Sequence, residues 1–223
     1  MQQHVSPLIL RTLPVFAMLD EPRLAAMAAE ASLRAVARGE TVVHEGGPTD
    51  NVYFVLTGGL KVLVSDADGR EVILSVLEPG DMFGELGVID NHPRSASVVA
   101  VEASQLVTFS KQDFMCCLSE NFDITLAIMR GMAARLRQAD QRIESLALLD
   151  VYGRVARLLL EMAETRDGGK IVTRRLTKQD IAKMVGASRE MVSRVMKDLG
   201  QRGLIQETAD GIRLVAVATE PPK

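Results

Sequence analysis

Three charged side chains near the end of the chain have the chemistry to read the edges of nucleic acid bases. Arg189, Glu190 and Arg194 are close in sequence, and Glu190 and Arg194 are one helical turn apart. An arginine can pair with the O6 and N7 acceptors of a guanine, and a glutamate can accept a hydrogen bond from the amino group of a cytosine. The alternative for Glu190 and Arg194 is an exposed ion pair, which contributes only a few tenths of a kcal/mol to a helix. The trio predicts base recognition if its segment can enter a groove.

The residues around this trio have the spacing of a helix-turn-helix. Thr177 and Ser188 can each cap a helix, and Gly186 between them allows a tight turn. Apolar residues would form the inner faces, namely Ile181, Ala182 and Val185 in the first helix and Val192, Val195 and Leu199 in the second. Because the small, turn and core positions all agree, a chance helical hairpin is disfavoured. In such a motif the second helix enters the major groove and the first meets phosphates, so the candidate DNA-binding residues are Thr177, Lys178, Gln179, Ser188, Arg189, Glu190, Ser193 and Arg194.

The segments on either side complete a winged DNA-binding domain. An apolar stripe from Val151 to Met162 predicts a helix, which we expect the turn at residues 166–169 to close. Residues 204–206 and 212–215 predict a hairpin around an Ala209-Asp210-Gly211 turn. Residues 170–213 carry ten Lys or Arg and five Asp or Glu, in a chain whose net charge is −3. On charge alone, a polyanion-binding face and an ordinary solvated surface are equal alternatives.

Residues 41–109 predict a small β-sandwich or barrel. Short β-branched or alternating runs, each closed by Gly, Pro or Asp residues, occur around Val43 and at residues 52–56, 60–64 and 71–74. Their even spacing is typical of a closed or double-sheet all-β unit. An alanine-rich stretch at residues 21–31 predicts a short helix before it.

Residues 121–149 predict one long helix with a narrow apolar seam. An apolar residue recurs at every third or fourth position, in the series Met129, Met132, Leu136, Ala139, Ile143 and Leu146. Charged and polar residues fill most other positions, so the seam has the pattern of a parallel coiled coil between two copies of the chain. Gly131 inside this helix would allow close backbone approach. The alternative is a surface helix that packs on its own domain.

Three motifs in this order resemble the bacterial catabolite activator protein (CRP/FNR) family over most of the chain. The first is the glycine-punctuated stretch at residues 46–58. The second is Phe83-Gly84-Glu85-Leu86-Gly87 followed by Arg94-Ser95-Ala96, and the third joins residues 148–151 to the recognition helix. The resemblance implies an α+β fold with an N-terminal cyclic-nucleotide-binding β-roll (residues 1–120), a long dimerisation helix (121–149) and a C-terminal winged helix-turn-helix (150–223).

The second motif also suits a cyclic nucleotide chemically. Arg94 offers a guanidinium and Ser95 a hydroxyl to a cyclic phosphate. Glu85 can accept from a ribose 2′-hydroxyl, and Gly84 lets the backbone approach the ligand closely. By resemblance these positions hold those roles in the family. The site residues implied are Gly84, Glu85, Leu86, Arg94, Ser95, Arg135, Ala139 and Asp140.

The base-recognition end of this site departs from the pattern of the cyclic-AMP activator. That protein has a threonine and a serine, one from each subunit, where the purine is read, and Ala139 and Asp140 align with them. Alanine offers no hydrogen bond to an adenine, whereas an ionised Asp140 could accept from the N1–H and amino groups of a guanine. Arg135 and Arg137 could meet a guanine edge or a second phosphate. Cyclic di-GMP and cyclic AMP both remain candidates, and Asp140 could instead pair with Arg137 or Arg142.

The resemblance further implies a homodimer that binds pseudo-palindromic double-stranded DNA and has RNA polymerase as a partner. A bound nucleotide would reset the angle of the DNA-reading heads, because a ligand with different affinities for two arrangements acts as a switch. The alternative within the same fold is a regulator that has no ligand and binds DNA constitutively.

Composition disfavours other classes of protein. The adjacent Cys116 and Cys117 read as a pair of buried small hydrophobic residues, and the three histidines lack metal-ligand spacing, so we expect no metal, haem or iron–sulfur cluster. No base or triad accompanies Glu85 or the cysteines, so an enzyme is not expected. No apolar run approaches the roughly 20 residues of a membrane span, and no secretory signal is evident. The expected location is the cytoplasm.

Overall fold

In the computed structural model, which describes residues 3–166, 169–173, 176–208 and 211–215, the chain forms two units, Met1–Arg135 and Leu136–Lys223. The first unit contains two antiparallel sheets with the strand orders β1-β2-β9-β4-β7 and β3-β8-β5-β6. Its strands are β1 (Gln3–His4), β2 (Ser32–Val36), β3 (Thr41–Val43), β4 (Asn51–Thr57), β5 (Leu60–Ser65), β6 (Glu71–Leu77), β7 (Met82–Phe83), β8 (Ser97–Ala100) and β9 (Ser104–Ser110). Its helices are α1 (Pro7–Arg11), α2 (Glu21–Glu30), α3 (Glu85–Asp90) and α4 (Lys111–Glu120), with a 3-10 turn at Pro14–Phe16.

Strand β4 lies between two separate cores. Its alternate residues Tyr53 and Val55 join a core built from both sheets, whereas Val52 and Phe54 face the helices. On the helical side the Phe54 ring lies 5.1 Å from that of Phe16 and 5.8 Å from that of Phe109, centroid to centroid. Burial on both faces explains why β4 is an almost continuous apolar run in the sequence.

One long helix, α5 (Phe122–Leu148), spans the boundary between the two units. Its first turns belong to the first unit, because Ile124 and Ile128 are buried in the helical-side core and Met132 packs against it. The predicted bounds of this helix, residues 121–149, are confirmed to within one residue at each end. Among the described residues, no helix is both long enough and apolar enough to cross a membrane.

The second unit packs three helices against a four-stranded sheet of order β10-β11-β13-β12. Its elements are α6 (Val151–Met162), β10 (Glu164–Arg166), β11 (Gly169–Val172), α7 (Lys178–Val185), α8 (Arg189–Gln201), β12 (Ile205–Thr208) and β13 (Gly211–Leu214). Buried side chains from all three helices meet Val172 and Ile205 of the sheet in one core. The predicted α+β fold with a β-roll, a long helix and a winged helix-turn-helix is confirmed.

Two details of this unit differ from expectation. The turn at residues 166–169 does not close α6, because the helix ends at Met162 and the extended Ala163 leads into β10, which pairs with β11. The third buried residue of α8, beside Val192 and Leu199, is Met196 and not the expected Val195. Met196 shares one helical face with the other two, whereas Val195 lies at the side of that face and is half-buried. Asp167, Gly168, Ala209 and Asp210, which belong to the two expected turns, lie outside the described residues.

Two adjacent leucines on α6 provide a matched test of the core of the second unit. Leu159 is 1% exposed and Leu160 is 54% exposed. We expect Leu159→Ala to lower the free energy of unfolding by about 2–5 kcal/mol, because it leaves a cavity in the core. Leu160→Ala should change it by less than about 1 kcal/mol. Urea denaturation followed by circular dichroism measures both, and equal losses would show that the core is not packed around Leu159.

Candidate ligand and DNA-binding sites

The cassette at the start of α3 is built around a buried carboxylate. Glu85 is the first residue of this helix and is only 1% exposed. A buried carboxylate is unfavourable unless an opposite charge compensates it. Arg135 of α5 supplies that charge, because its Nη1 donates to Glu85 Oε1 at 2.6 Å and its Nη2 donates to the Met82 carbonyl at 3.1 Å. This pair ties the cassette to the middle of the long helix.

Arg94 is held in place by three backbone carbonyls. Its Nε donates to Pro48 at 3.1 Å, its Nη1 to Gly84 at 2.6 Å and its Nη2 to Asn51 at 2.7 Å. The residue is 6% exposed, and its guanidinium carbon lies 5.9 Å from the centroid of the Tyr53 ring. Burial lowers the pKa of Arg94 from its ordinary value, while nearby Tyr53 and acidic groups oppose that shift. An arginine has five N–H donors, so the three carbonyls leave two for an anion.

Gly84 is required at the point where β7 turns into α3. Its φ is +82°, a conformation that side chains disfavour, and a Cβ at this position would collide with Nη1 of Arg94. A glycine is therefore needed both for the turn and to leave room for the guanidinium of Arg94. The sequence expectation had assigned it only to the approach of a ligand.

The structure brings together four of the eight predicted ligand-binding residues: Gly84, Glu85, Arg94 and Arg135. Leu86 is half-exposed and Ser95 is exposed beside Arg94. Ala139 and Asp140 lie on the exposed surface of α5, within the second unit. The carbonyls of Pro48, Asn51 and Met82 were missed, because a main-chain acceptor leaves no side-chain signal in a sequence.

The helix-turn-helix is formed by α7 and α8. A capping box begins α7, in which the Thr177 hydroxyl accepts from the Asp180 amide at 3.1 Å and the Asp180 carboxylate accepts from the Thr177 amide at 3.2 Å. Gly186 ends this helix in a left-handed conformation with φ +64°. Ser188 then begins α8, its hydroxyl accepting from the Met191 amide at 3.2 Å. The two capping residues and this glycine therefore determine where α7 begins and ends and where α8 begins.

Most of the predicted DNA-binding side chains are exposed. They are Thr177, Lys178, Gln179, Ser188, Arg189, Glu190 and Arg194, while Ser193 is half-buried. The hydroxyl of Thr177 also contacts the carboxylate of Asp180 at 2.6 Å, which leaves it less available to a phosphate. Hydrogen bonds from its own amide and from Ser188 lower the pKa of Glu190. Glu190 is therefore an ionised acceptor at neutral pH.

The structure buries only one of the two adjacent cysteines. Cys117 is buried, and burial raises its pKa to about 11, whereas Cys116 is exposed. Adjacent residues of a helix point about 100° apart, so the amphipathic α4 can bury only one of them. The expectation that both are buried is wrong for Cys116.

Two family models match the chain in the same order as its two units. A cyclic nucleotide-binding domain matches residues 33–121, and a Crp-like helix-turn-helix domain matches residues 153–218. A CRP-like cAMP-activated global transcriptional regulator of Mycobacterium tuberculosis is 37% identical over 173 residues, which are 76% of this chain and 77% of that protein. The chain belongs to the CRP/FNR family. The family consists of transcription regulators, which are not enzymes, and this member has a cyclic nucleotide-binding domain and a helix-turn-helix DNA-binding domain.

The names of other relatives mention two different effectors. The cAMP-activated global transcriptional regulator CRP of Salmonella typhimurium is 36% identical over 186 residues, which are 80% of this chain and 86% of that protein. A solved structure of the c-di-GMP responsive global regulator CLP of Xanthomonas campestris superposes with a TM-score of 0.74 at 25% identity, covering 89% of this chain and all of that one. Cyclic AMP and cyclic di-GMP are therefore both named as effectors of its relatives.

Two glycines of the first unit should respond oppositely to the same substitution. Gly84→Ala should lower the free energy of unfolding by about 1–2 kcal/mol because of the backbone conformation alone. The collision of the new Cβ with Arg94 should lower it further. Gly131→Ala, in the open interior of α5, should raise it by about 0.5–1 kcal/mol. Differential scanning calorimetry measures both. A neutral Gly84→Ala would show that Arg94 does not hold the cassette as described.

Proposed function

We propose that this family member is a homodimeric, cytoplasmic regulator that binds a cyclic nucleotide and, in response, presents α8 to pseudo-palindromic DNA. The observation that carries the ligand proposal is the geometry of Arg94. Its guanidinium is oriented by three carbonyls and keeps two donors, so a cyclic phosphate would meet a preorganised cation. Glu85 lies in the same cassette and suits a ribose 2′-hydroxyl.

The exposed apolar seam of α5 supports the dimer. Phe122, Met129, Leu136 and Ile143 recur at intervals of seven residues and are 60–74% exposed in the single chain. Phe122 extends the seam one heptad before the series seen in the sequence. Large apolar side chains in a regular exposed row are typical of a protein interface, and this spacing is that of a two-stranded coiled coil.

The proposed effector is a cyclic purine nucleotide, either cyclic di-GMP or cyclic AMP. Asp140 favours a guanine, because an ionised carboxylate can accept from the N1–H and amino donors of that base. The identity with cAMP-activated relatives favours cyclic AMP. RNA polymerase is proposed as a further partner on the basis of the family alone.

Calorimetric titration with cyclic AMP, cyclic GMP and cyclic di-GMP tests the ligand proposal. We expect saturable heat with at least one of them, and thermal stabilisation of the first unit by the same compound. Linear AMP and the dinucleotide pGpG serve as controls, because they lack the cyclic phosphate. No heat with any cyclic nucleotide, together with unchanged DNA binding, would favour the constitutive alternative.

Substitutions in the two helices of the motif should separate base reading from phosphate contact. Arg189→Ala should cost about 1–3 kcal/mol at the preferred site and relax the preference at one base pair. Lys178→Ala should weaken binding to all sequences alike and reduce the salt dependence by about one unit of slope. Fluorescence anisotropy on a library of sites with half-sites about one helical turn apart measures both. A uniform loss with Arg189→Ala would show that this residue contacts only phosphate.

A further inference from the structure

Arg135 has capacity for a second acidic partner. Its contacts with Glu85 and the Met82 carbonyl use one donor on each terminal nitrogen. The side chain is nevertheless 46% exposed, so it remains accessible to a further partner. An arginine fork can hold two carboxylates at once, because its donors point along two edges of a plane.

The heptad register of the seam predicts that an acidic residue of the partner subunit comes close to Arg135. With Leu136 and Ile143 at core position a of the heptad, and Met132 and Ala139 at position d, Arg135 occupies position g and Asp140 position e. In a parallel two-stranded coiled coil, a residue at g faces the residue at e of the following heptad on the other helix. In such a dimer, Arg135 of one protomer would face Asp140 of the partner subunit.

The surroundings of Asp140 on its own helix favour that partner. Its carboxylate is exposed, and the residue one turn later is Glu144, which carries the same charge and contacts Arg157 at 3.4 Å. The cation one turn earlier is Arg137, and a basic residue placed before an acidic one is the weaker orientation for a pair within a helix. Among the described residues, no ion pair joins Arg137 to Asp140.

We propose that, in the dimer, each Arg135 bridges Glu85 of its own protomer and Asp140 of the partner subunit. This inference rests on the proposed dimer. It gives Asp140 a role in the ligand-free dimer, as the second carboxylate of the Arg135 guanidinium. A nucleotide that binds beside Glu85 then competes with a carboxylate from the partner for the same guanidinium.

Cross-linking of mixed dimers tests the register directly. In a Cys116→Ser background, one tagged chain carries Arg135→Cys and a differently tagged chain carries Asp140→Cys, and a short bis-maleimide is added. We expect a covalent heterodimer from this mixture. A matched mixture of Arg137→Cys with Asp140→Cys should give none, because Arg137 lies at the outer position b. Equal yields from both mixtures, or none from the first, would overturn the pair.

A second measurement avoids disturbing Glu85. Asp140→Asn should raise the dimer dissociation constant about three- to fivefold at low salt, since each dimer loses two equivalent surface pairs. The difference should vanish at high salt, and Glu144→Gln should leave the constant unchanged. Sedimentation velocity measures all three. If the wild-type chain is monomeric, the proposed dimer fails; if it is dimeric and Asp140→Asn matches it at low salt, the ion pair alone fails.

Discussion

The burial of Glu85 constrains much of the first unit. A carboxylate with 1% of its surface exposed must find a cation, and the cation comes from Arg135, fifty residues further along the chain. The bond therefore holds the end of β7 and the start of α3 against α5, where Ile124 and Ile128 are already anchored in the helical-side core. The first unit ends at Arg135. From Leu136 onward the helix belongs to the second unit.

Local patterns were the most predictable part of this protein. Thr177, Gly186 and Ser188 specify the ends of two helices through contacts within three or four residues, so the helix-turn-helix could be predicted almost residue by residue. The hairpin of β10 and β11 was missed for the opposite reason. All three residues of β10 are exposed, and its pairing with β11 depends on a sheet whose other strands come about forty residues later. Short exposed strands have no periodicity for a sequence to reveal.

The candidate ligand site was predictable in its residue types but not in its construction. The motif around Glu85 and Arg94 indicated which side chains bear the chemistry. It did not indicate that Arg94 is bound by main-chain carbonyls, or that Glu85 is neutralised by Arg135, because both depend on tertiary contacts. Met196 shows the same limit on a smaller scale, since one helical position decides between two plausible core residues.

The carbonyls around Arg94 also make the anion site a product of folding. Pro48 and Asn51 lie more than forty residues before the arginine, so its guanidinium is oriented only after the loop before β4 and the turn after β7 have come together. The unfolded chain has no such cradle. A nucleotide would consequently bind the native state alone, and at a hundred times its dissociation constant it would stabilise this unit by about 2.7 kcal/mol. In a cell, occupancy of the site would then lengthen the time for which the chain resists proteolysis.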